Sequence, residues 1–317
     1  MSGVARDRLR VLTEAHREAR IARASRGVTS RPLLAQWWDS LIRGTRPAAA
    51  IDRPRGAASP LEMVFVGHAT VLLRFGSVEI VTDPFLGRWL CGLRRARAPG
   101  LGPADLRGVR MILLSHAHLD HLDRASLREL PRAATIVMPP RCADLVSDLG
   151  FSKVVELDGW QSHHAHGLEV IAVPARHWGR RVPLGRRRGF CGYLVRASGI
   201  AAAATPSVYF AGDTGWFDGF AEIGRRYRPD VALLPIGAYD PPSFRRFHMS
   251  PLDAVEAFAD LGARTLVPVH FGSFTLSCEP LEEPAEWLAA LAAERGLTQR
   301  VRILENGQST VMGIGSP

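Results

Sequence analysis

The sequence has 317 residues, of which 46% are hydrophobic and 22% are charged. This composition is typical of a globular protein, and it excludes a mostly disordered chain, a collagen-like fibre and a coiled coil. The formal charge is +9, from 40 basic and 31 acidic residues, and Lys153 is the one lysine. A basic surface favours nucleic acid, anionic lipid or an anionic substrate without choosing among them.

The ends of the chain and its cysteines indicate the compartment. No apolar run reaches the roughly 18 residues of a membrane-spanning helix, and the first ten residues lack the apolar stretch of a secretory signal. The four cysteines, Cys91, Cys142, Cys191 and Cys278, are widely spaced. That spacing favours neither a disulfide framework nor a paired-cysteine zinc site. The sequence therefore predicts a cytoplasmic protein.

Three segments precede the first predicted strand. Residues 4–25 predict a basic helix, rich in arginine, alanine, leucine and glutamate. Residues 33–42 form a short amphipathic segment with Trp37 and Trp38, which we expect to pack on the domain, the alternative being a lipid interface. Residues 43–60 are rich in Arg, Pro, Ala and Gly and predict a linker or surface loop. We expect residues 1–60 to be an extension and residues 61–317 to be one domain.

From residue 61 onwards the pattern changes to short strands with helices between several of them. The predicted strands are 63–66, 70–75, 78–82, 111–115, 135–138, 154–157, 168–173, 192–195, 207–211, 231–235, 265–269 and 301–304. The predicted helices are 126–130, 141–149, 251–261 and 284–295. Many short strands with interspersed helices predict sheets covered by helices, an α/β fold.

A cluster of histidines and one aspartate directly follows the predicted strand at 111–115. His116, His118, Asp120 and His121 fall within six residues, where a strand runs into a loop. Imidazole nitrogens and carboxylate oxygens are ligands that zinc and similar ions prefer. A loop at a strand end can turn all four side chains towards one point, so the cluster predicts a metal site.

This cluster resembles the His-x-His-x-Asp-His motif of the metallo-β-lactamase fold superfamily. His177, Asp213 and His270 each follow a later predicted strand, in the order in which that superfamily has its remaining ligands. The resemblance implies a four-layer αβ/βα sandwich with two zinc ions per chain, with iron and manganese as open alternatives. It assigns His116, His118 and His177 to one ion, Asp120, His121 and His270 to the second, and Asp213 as the bridge between them.

The resemblance also points to three residues that contact the ligands without binding metal. Asp83 ends an early strand and is expected to orient a ligating imidazole. His68 belongs to the same early region, and we interpret it as a hydrogen-bonding or pocket residue. Thr214 follows the bridging Asp213 and is placed in the same supporting set.

Within the superfamily, the segment Ala175-Arg176-His177-Trp178-Gly179-Arg180-Arg181 resembles the N-acylphosphatidylethanolamine-hydrolysing phospholipase D family and its bacterial relatives. The resemblance extends over about residues 61–310. Further matching segments are Gly67-His68-Ala69-Thr70, Ala211-Gly212-Asp213-Thr214-Gly215, Phe247-His248-Met249-Ser250-Pro251 and His270-Phe271-Gly272. The chain has Phe247 and Ser250 where the animal enzymes have a glutamine and an acidic residue. Those differences concern the headgroup preference rather than the metal site.

The resemblance implies a phosphodiesterase of the phospholipase D type, acting on N-acylphosphatidylethanolamine-like lipids. A metal-bridging hydroxide, oriented by Asp120, would attack phosphorus, because coordination lowers the pKa of water to about 7. His248 would contact the substrate phosphate or donate a proton to the leaving group. Arg180 and Arg181 would bind phosphate or an anionic bilayer, which adds a peripheral location at the inner face of the membrane.

Two other functions stay open. The first keeps the metals but changes the bond, as in a lactonase or a sugar-phosphate lactone hydrolase. The second is a ribonuclease Z-like nuclease or a nucleic-acid binder. Against it, no inserted arm for tRNA is evident, and no interleaving of aromatic and basic residues suggests a stacking platform. We therefore expect a phosphate-bearing small substrate and no nucleic acid. A homodimer is compatible with these features, and nothing in the sequence selects it.

Overall fold

Two β-sheets packed face to face form the centre of the molecule. The computed structural model describes residues 3–24, 32–49, 60–182, 184–199, 202 and 204–313. In chain order the strands are β1 (Leu61–Gly67), β2 (Thr70–Phe75), β3 (Val78–Thr82), β4 (Trp89–Leu90), β5 (Leu93–Arg94), β6 (Val109–Leu113), β7 (Thr135–Met138), β8 (Lys153–Glu156), β9 (Ser162–Ala165), β10 (Leu168–Val173), β11 (Gly192–Ala197), β12 (Val208–Phe210), β13 (Val231–Pro235), β14 (Thr265–Val269) and β15 (Ser309–Met312). The α-helices are α1 (Gly3–Ala24), α2 (Leu33–Arg43), α3 (Arg124–Arg128), α4 (Gly219–Tyr227), α5 (Pro251–Leu261) and α6 (Glu283–Glu294).

The first sheet has seven strands in the order β15-β1-β2-β3-β6-β7-β8, and the second has six in the order β14-β13-β12-β11-β10-β9. Strands β3, β6, β7 and β8 run parallel to one another, as do β12, β13 and β14. Parallel neighbours need crossover connections and place their carboxyl ends at one edge of a sheet. In each sheet, the loops that follow the parallel strands therefore begin at the same edge.

Alternating side chains show how the seven-stranded sheet is covered on both faces. In β1, Met63 and Phe65 belong to the core between the two sheets, whereas Val64 and Val66 belong to a second core that includes Leu127 of α3. This is the period of two expected for a strand buried on both faces. Helices α4, α5 and α6 pack against one another and against the six-stranded sheet. The four layers agree with the predicted αβ/βα sandwich.

The N-terminal helix α1 packs on α5. The Arg8 guanidinium lies 2.9 Å from the Glu256 carboxylate and 2.5 Å from that of Asp260. Leu12 and His16 are buried beneath the helix. The extension is therefore in contact with the second helical layer through both ion pairs and buried side chains.

Helix α2 contacts the domain at strand β5 and has an exposed apolar side. Leu34, Trp38 and Ile42 are exposed on one side of the helix, at a spacing of four residues. Gln36 is buried and donates to the backbone carbonyls of Ser277 and Cys278. The Trp37 side chain lies outside the described part of the chain. The Gln36 amide thus joins this helix to the domain through two hydrogen bonds.

Most predicted elements occur where expected, and β2, β3, β7, β10, β13, β14 and α5 have the predicted bounds. The prediction of a closing strand at 301–304 is wrong. Within 301–304, only Val301 forms a bridge, to Leu266 of β14 in the six-stranded sheet. The closing strand is β15, which pairs with β1 in the seven-stranded sheet. The helix predicted at 141–149 is two short 3-10 turns, which end at the left-handed Gly150. Strand β9 and helix α4 were not predicted.

The structure also describes the helices' lengths, the cysteines and part of the predicted linker. None of the described helices is long and apolar enough to cross a membrane. All four cysteines are free. Of the predicted linker, residues 50–59 lie outside the described residues. Residues 44–49 run along the domain, because Arg46 forms a bridge with Arg97 and the Ala49 amide donates to the Asn306 carbonyl.

Candidate metal centre

Six loops that follow strands meet at one edge of the two sheets. His68 follows β1, Asp83 follows β3, and the segment 115–121 follows β6. From the other sheet, His177 follows β10, Asp213 follows β12 and His270 follows β14. The parallel registers of β3 with β6 and of β13 with β14 bring these carboxyl ends side by side. Residues separated by more than 200 positions therefore face one another.

The first group of converging atoms comes from three histidines. The His118 Nδ1 atom lies 2.8 Å from His116 Nε2 and 3.2 Å from His177 Nε2. These three residues and Asp213 can place one ligand atom each within 4.8 Å of one another. The sequence analysis assigned the same three histidines to one ion.

The second group consists of Asp120, His121 and His270. The Asp120 Oδ2 atom lies 3.4 Å from His121 Nε2 and 3.5 Å from His270 Nε2. His68 joins this group, because its Nε2 atom lies 3.1 Å from the same carboxylate oxygen. The sequence analysis placed His68 behind the ligands, and the structure places its ring against both Asp120 and His270, with the two imidazole centroids 4.3 Å apart.

Asp213 lies between the two groups. Its Oδ2 atom is 3.9 Å from His116 Nε2 and 3.2 Å from His121 Nε2, and its Oδ1 atom is 3.3 Å from His270 Nε2. Gly212, directly before it, has a φ of +60°, and a Cβ atom there would come within 2.4 Å of the Ser115 Cβ atom. A glycine is therefore required for the loop to bring Asp213 so close to the 115–121 segment.

One buried carboxylate orients a histidine of each group. Asp83 accepts hydrogen bonds from the Ser115 amide at 2.7 Å, the Ser115 hydroxyl at 2.5 Å and His121 Nδ1 at 2.6 Å. Since the Ser115 hydroxyl donates to Asp83, it can accept from His116 Nδ1, which lies 2.9 Å away. That arrangement leaves Nε2 of both histidines free to face the centre. Asp83 was predicted from the sequence and Ser115 was not, although its position directly before His116 was an available signal.

The third histidine of the first group is oriented by backbone. His177 Nδ1 lies 2.9 Å from the carbonyl oxygen of Phe247, 70 residues further along the chain. Thr214 accepts a hydrogen bond from the Arg176 amide at 2.9 Å and so joins the His177 loop to the Asp213 loop. A backbone acceptor has no residue-type signature, so no sequence signal pointed to Phe247.

Three of the loop residues adopt a left-handed backbone. His68, Asp83 and His270 have φ values of +61°, +31° and +59°. Such conformations cost about 1–3 kcal/mol for residues other than glycine and persist where the surroundings impose them. Their concentration at this edge indicates that the arrangement of side chains is held at the expense of local strain.

Five of the seven predicted ligands have the protonation state that suits cation binding. His121 is an exception, because the carboxylates of Asp213, Asp120 and Asp83 outweigh its burial and raise its pKa well above the usual value, so a metal ion must displace its proton. Burial holds the pKa of His116, His118 and His177 below its usual value, so these imidazoles are neutral at pH 7. Burial opposes ionisation of Asp120 and Asp213, but neighbouring histidines, His121 first, hold the pKa of both carboxyls well below the usual range. Neutral imidazoles and ionised carboxylates are the forms that bind divalent metals.

Several buried atoms at the centre lack a hydrogen-bond partner among the described residues. They include His121 Nε2, His270 Nε2 and Asp213 Oδ1. Unpaired buried polar atoms are costly, and such atoms occur where a protein binds an ion. The donor set of imidazoles and carboxylates also matches the preference of zinc. The residues present therefore fit divalent cations, and Asp213 lies within reach of both groups.

Two side chains lie over the centre without belonging to either group. His248 Nδ1 is buried, has no hydrogen-bond partner in the described structure, and lies 3.7 Å from Asp213 Oδ2. Burial lowers the pKa of His248 to about 4, so the ring is neutral at pH 7. Trp178 is 41% exposed, and its ring centroid lies 4.3 Å from that of His118. His248 and Trp178 therefore line the approach to the centre.

Arg180 and Arg181, which were predicted to bind phosphate or an anionic bilayer, lie in a hairpin after His177. Residues 179–182 and 184–188 form the two arms of a hairpin, in which the Arg188 amide donates to the Gly179 carbonyl and Arg180 forms a bridge with Arg187. The Arg181 guanidinium turns inward and donates to the backbone carbonyls of Ala117 and Leu122. Arg181 therefore contacts the backbone of the loop that carries the metal-site histidines.

Comparisons with known proteins bear on the family of the chain and on its class of activity. A family model described as the β-lactamase superfamily domain matches residues 79–271. An uncharacterized protein of Mycobacterium tuberculosis H37Rv is 36% identical, over 83% of this chain and 74% of its own length. A UPF0173 metal-dependent hydrolase of Methanopyrus kandleri is 31% identical, over 78% of this chain and 99% of its own.

A more distant relative carries a more specific name. The mitochondrial N-acyl-phosphatidylethanolamine-hydrolyzing phospholipase D of Saccharomyces cerevisiae is 28% identical, over 82% of this chain and 58% of its own length. Among solved structures, isothiocyanate hydrolase from Delia radicum gut bacteria has a TM-score of 0.65 at 22% identity, covering 80% of this chain and 99% of its own. At that identity the likeness shows the shared fold alone.

Proposed function

Because this chain belongs to the β-lactamase superfamily and is a metal-dependent hydrolase, we propose that it cleaves phosphodiesters of the phospholipase D type. The observation that supports two ions is the position of Asp213 between two groups of converging ligand atoms. The named yeast relative supports the phosphodiester and an N-acylphosphatidylethanolamine-like lipid as substrate. Zinc is the proposed metal, since the ligand atoms are imidazole nitrogens and carboxylate oxygens.

In this proposal His116, His118 and His177 hold one ion, Asp120, His121 and His270 hold the other, and Asp213 contacts both. Two bound divalent ions would supply a water of lowered pKa and positive charge beside the phosphate. Among residues of the chain, the ionised Asp120 carboxylate accepts a hydrogen bond from the attacking water and so orients it. The neutral His248 imidazole donates a hydrogen bond to a phosphate oxygen, which stabilises the charge that develops in the transition state.

The bond changes follow from hydrolysis. The oxygen of water bonds to phosphorus, the bond from phosphorus to the headgroup oxygen breaks, and a proton ends on the released alcohol. For an N-acylphosphatidylethanolamine the products are phosphatidic acid and an amide-bearing alcohol. The Trp178 ring packs against His118 at the approach to the site, where an apolar part of the lipid could contact it.

The experiment combines metal analysis with a substrate panel. We expect about two zinc ions per chain, and turnover of an N-acylphosphatidylethanolamine in mixed micelles and of a simple aryl phosphodiester. The variant His118→Ala removes one ligand nitrogen. We expect it to lose more than about 100-fold in activity, since residues that only orient a ligand already account for about 10–100-fold.

The matched control is His164→Ala, because the His164 side chain is 65% exposed on β9 and lies outside both groups of ligand atoms. It should keep wild-type metal content and activity. Fewer than about one metal per chain, or an unaffected His118→Ala variant, would contradict the two-metal proposal. Turnover of a lactone panel with both phosphodiesters untouched would replace the phosphodiesterase by a lactonase. Cleavage of RNA in preference to lipid would favour a nuclease.

The hairpin at 179–188 supports a contact with an anionic lipid surface, where such a substrate would lie. Val182 is 51% exposed and Leu184 is 97% exposed at its tip, and Arg186 and Arg187 are exposed beside them. Apolar side chains flanked by arginines are typical of peripheral contacts, in which each basic group contributes about 1 kcal/mol. A location at the inner face of the membrane follows from this proposal.

The contact is tested by sedimentation with vesicles containing phosphatidylglycerol. Leu184→Asp should lower the partition coefficient about tenfold, because burying a leucine contributes about 1.5–3 kcal/mol. Val311→Asp is the matched control, since Val311 is 43% exposed on strand β15, away from the hairpin. Equal binding of both variants and the wild type would show that the hairpin does not contact lipid.

A further inference from the structure

One guanidinium nitrogen holds the backbone on both sides of the densest part of the metal centre. Arg181 Nη1 donates to the Ala117 carbonyl at 2.9 Å and to the Leu122 carbonyl, also at 2.9 Å. Between these two carbonyls lie the four residues 118–121, which include His118, Asp120 and His121. The two hydrogens of a single nitrogen therefore connect the two ends of the segment that supplies ligands to both groups.

Residues 118–122 also have hydrogen bonds among themselves, but these do not fix the distance between the Ala117 and Leu122 carbonyls. The amides of His121 and Leu122 both donate to the His118 carbonyl, at 3.2 and 2.9 Å. These bonds form one tight turn. Ala117 and Leu122 are themselves buried, so their carbonyls need partners within the protein. Arg181 supplies both partners from a different loop, 64 and 59 residues away.

The hairpin that carries Arg181 is built to hold it in place. The Arg188 amide donates to the Gly179 carbonyl at 2.6 Å, and a Cβ atom at Gly179 would lie 1.9 Å from the Arg188 carbonyl oxygen. Glycine at 179 thus permits the close approach of the two hairpin arms. Just beyond the hairpin, the Cys191 amide donates to the Ser115 carbonyl. The segment 179–191 therefore supports the ligand loop at three carbonyls.

From this geometry we infer that Arg181 is a positioning residue of the metal centre. It fixes the backbone at Ala117 and Leu122, so that His118, Asp120 and His121 project towards their ions before any ion binds. The inference rests on the proposed two-metal site but not on the identity of the substrate. A planar guanidinium suits this task because it presents donors in a fixed geometry, which the point charge of a lysine does not.

The alternative is a direct contact of Arg181 with substrate phosphate, and the two roles have different kinetic consequences. A phosphate contact predicts a raised KM with an unchanged rate of metal release. A positioning role predicts faster metal release and a lower kcat. The rate of zinc dissociation, measured with an excess of a chelating dye, therefore separates them without reference to activity.

We expect Arg181→Met, which keeps the apolar stem, to release zinc about 10–100-fold faster than the wild type, the range seen when a residue that orients a ligand is lost. The rate of zinc release from Arg181→Lys should lie between those of the wild type and Arg181→Met. Arg132→Met is the matched control, because Arg132 also donates to backbone carbonyls, those of Leu127, Leu130 and Arg128, but away from the ligand loop. It should release zinc at the wild-type rate even if its thermal stability falls.

Hydrogen exchange of the metal-free protein supplies a readout that does not need a bound ion. The amides of His121 and Leu122 should exchange about tenfold faster in Arg181→Met, because a bond from a charged donor stabilises the loop by enough for such a factor. If the wild type binds no zinc, the proposed function fails while this measurement still tests the positioning role. Wild-type exchange at both amides together with wild-type zinc release would overturn the inference.

Discussion

Replacing Asp213 by alanine should reduce bound zinc from about two ions per chain to about one or fewer, and activity by more than about 100-fold. The reason is the position of this carboxylate. Its two oxygens lie 3.2–3.9 Å from His116 of the first group and from His121 and His270 of the second. No other described carboxylate lies this close to a histidine of each group through its own oxygens. Its loss weakens both subsites together.

The measurement is elemental analysis after dialysis, combined with phosphodiester turnover. Asp218→Asn is the matched control, because Asp218 lies on the same loop, is exposed, and makes no capping hydrogen bond at the start of α4. That variant should keep the wild-type metal content. A metal content near two ions in Asp213→Ala would contradict the bridging role.

Asp83→Ala should destabilise the metal-free protein by about 3–5 kcal/mol, the usual consequence of removing one partner of a buried ion pair. The Asp83 side chain is fully buried, and its loss leaves the Ser115 amide and His121 Nδ1 without an acceptor. Zinc affinity should fall by about 10–100-fold, because the lost acceptor no longer fixes the ring of His121. Guanidinium unfolding and zinc competition measure the two effects.

Ser115→Ala is the informative comparison for Asp83. It removes the hydroxyl that lies between Asp83 and His116 but leaves the Ser115 amide and His121 bonded to the carboxylate. We therefore expect a smaller loss of stability and a weakening limited to the ion held by His116. Equal effects of the two variants on both ions would show that Asp83 acts through the serine alone.

The metal-site candidates were predictable because their signal is local. His116, His118, Asp120 and His121 fall within six consecutive positions after one strand, and His177, Asp213 and His270 each lie within four residues of the end of another. The strands themselves were found because β-branched and apolar runs bounded by turn residues have a recognisable pattern. Strand β10 and helix α5 have the predicted bounds for that reason.

The incorrect strand prediction at 301–304 shows that a local apolar pattern does not predict which sheet edge a segment joins. The apolar pattern there fits a strand, and Val301 does begin to pair with β14. The chain then leaves that edge and crosses to the other sheet, where Ser309–Met312 pairs with β1. Which free edge a segment joins depends on partners about 250 residues away, and periodicity contains no information about them.

By itself, therefore, the sequence determined the alternation of strands and helices, the α/β class and the residues that can act as ligands. Only the tertiary structure decided how those residues are held: the Ser115 hydroxyl between Asp83 and His116, the Phe247 carbonyl on His177, and the Arg181 guanidinium on the ligand loop. The physical reason is that ligand chemistry is a property of a side chain and its local spacing. Orientation depends on hydrogen bonds to groups, many of them backbone carbonyls, that folding alone brings near.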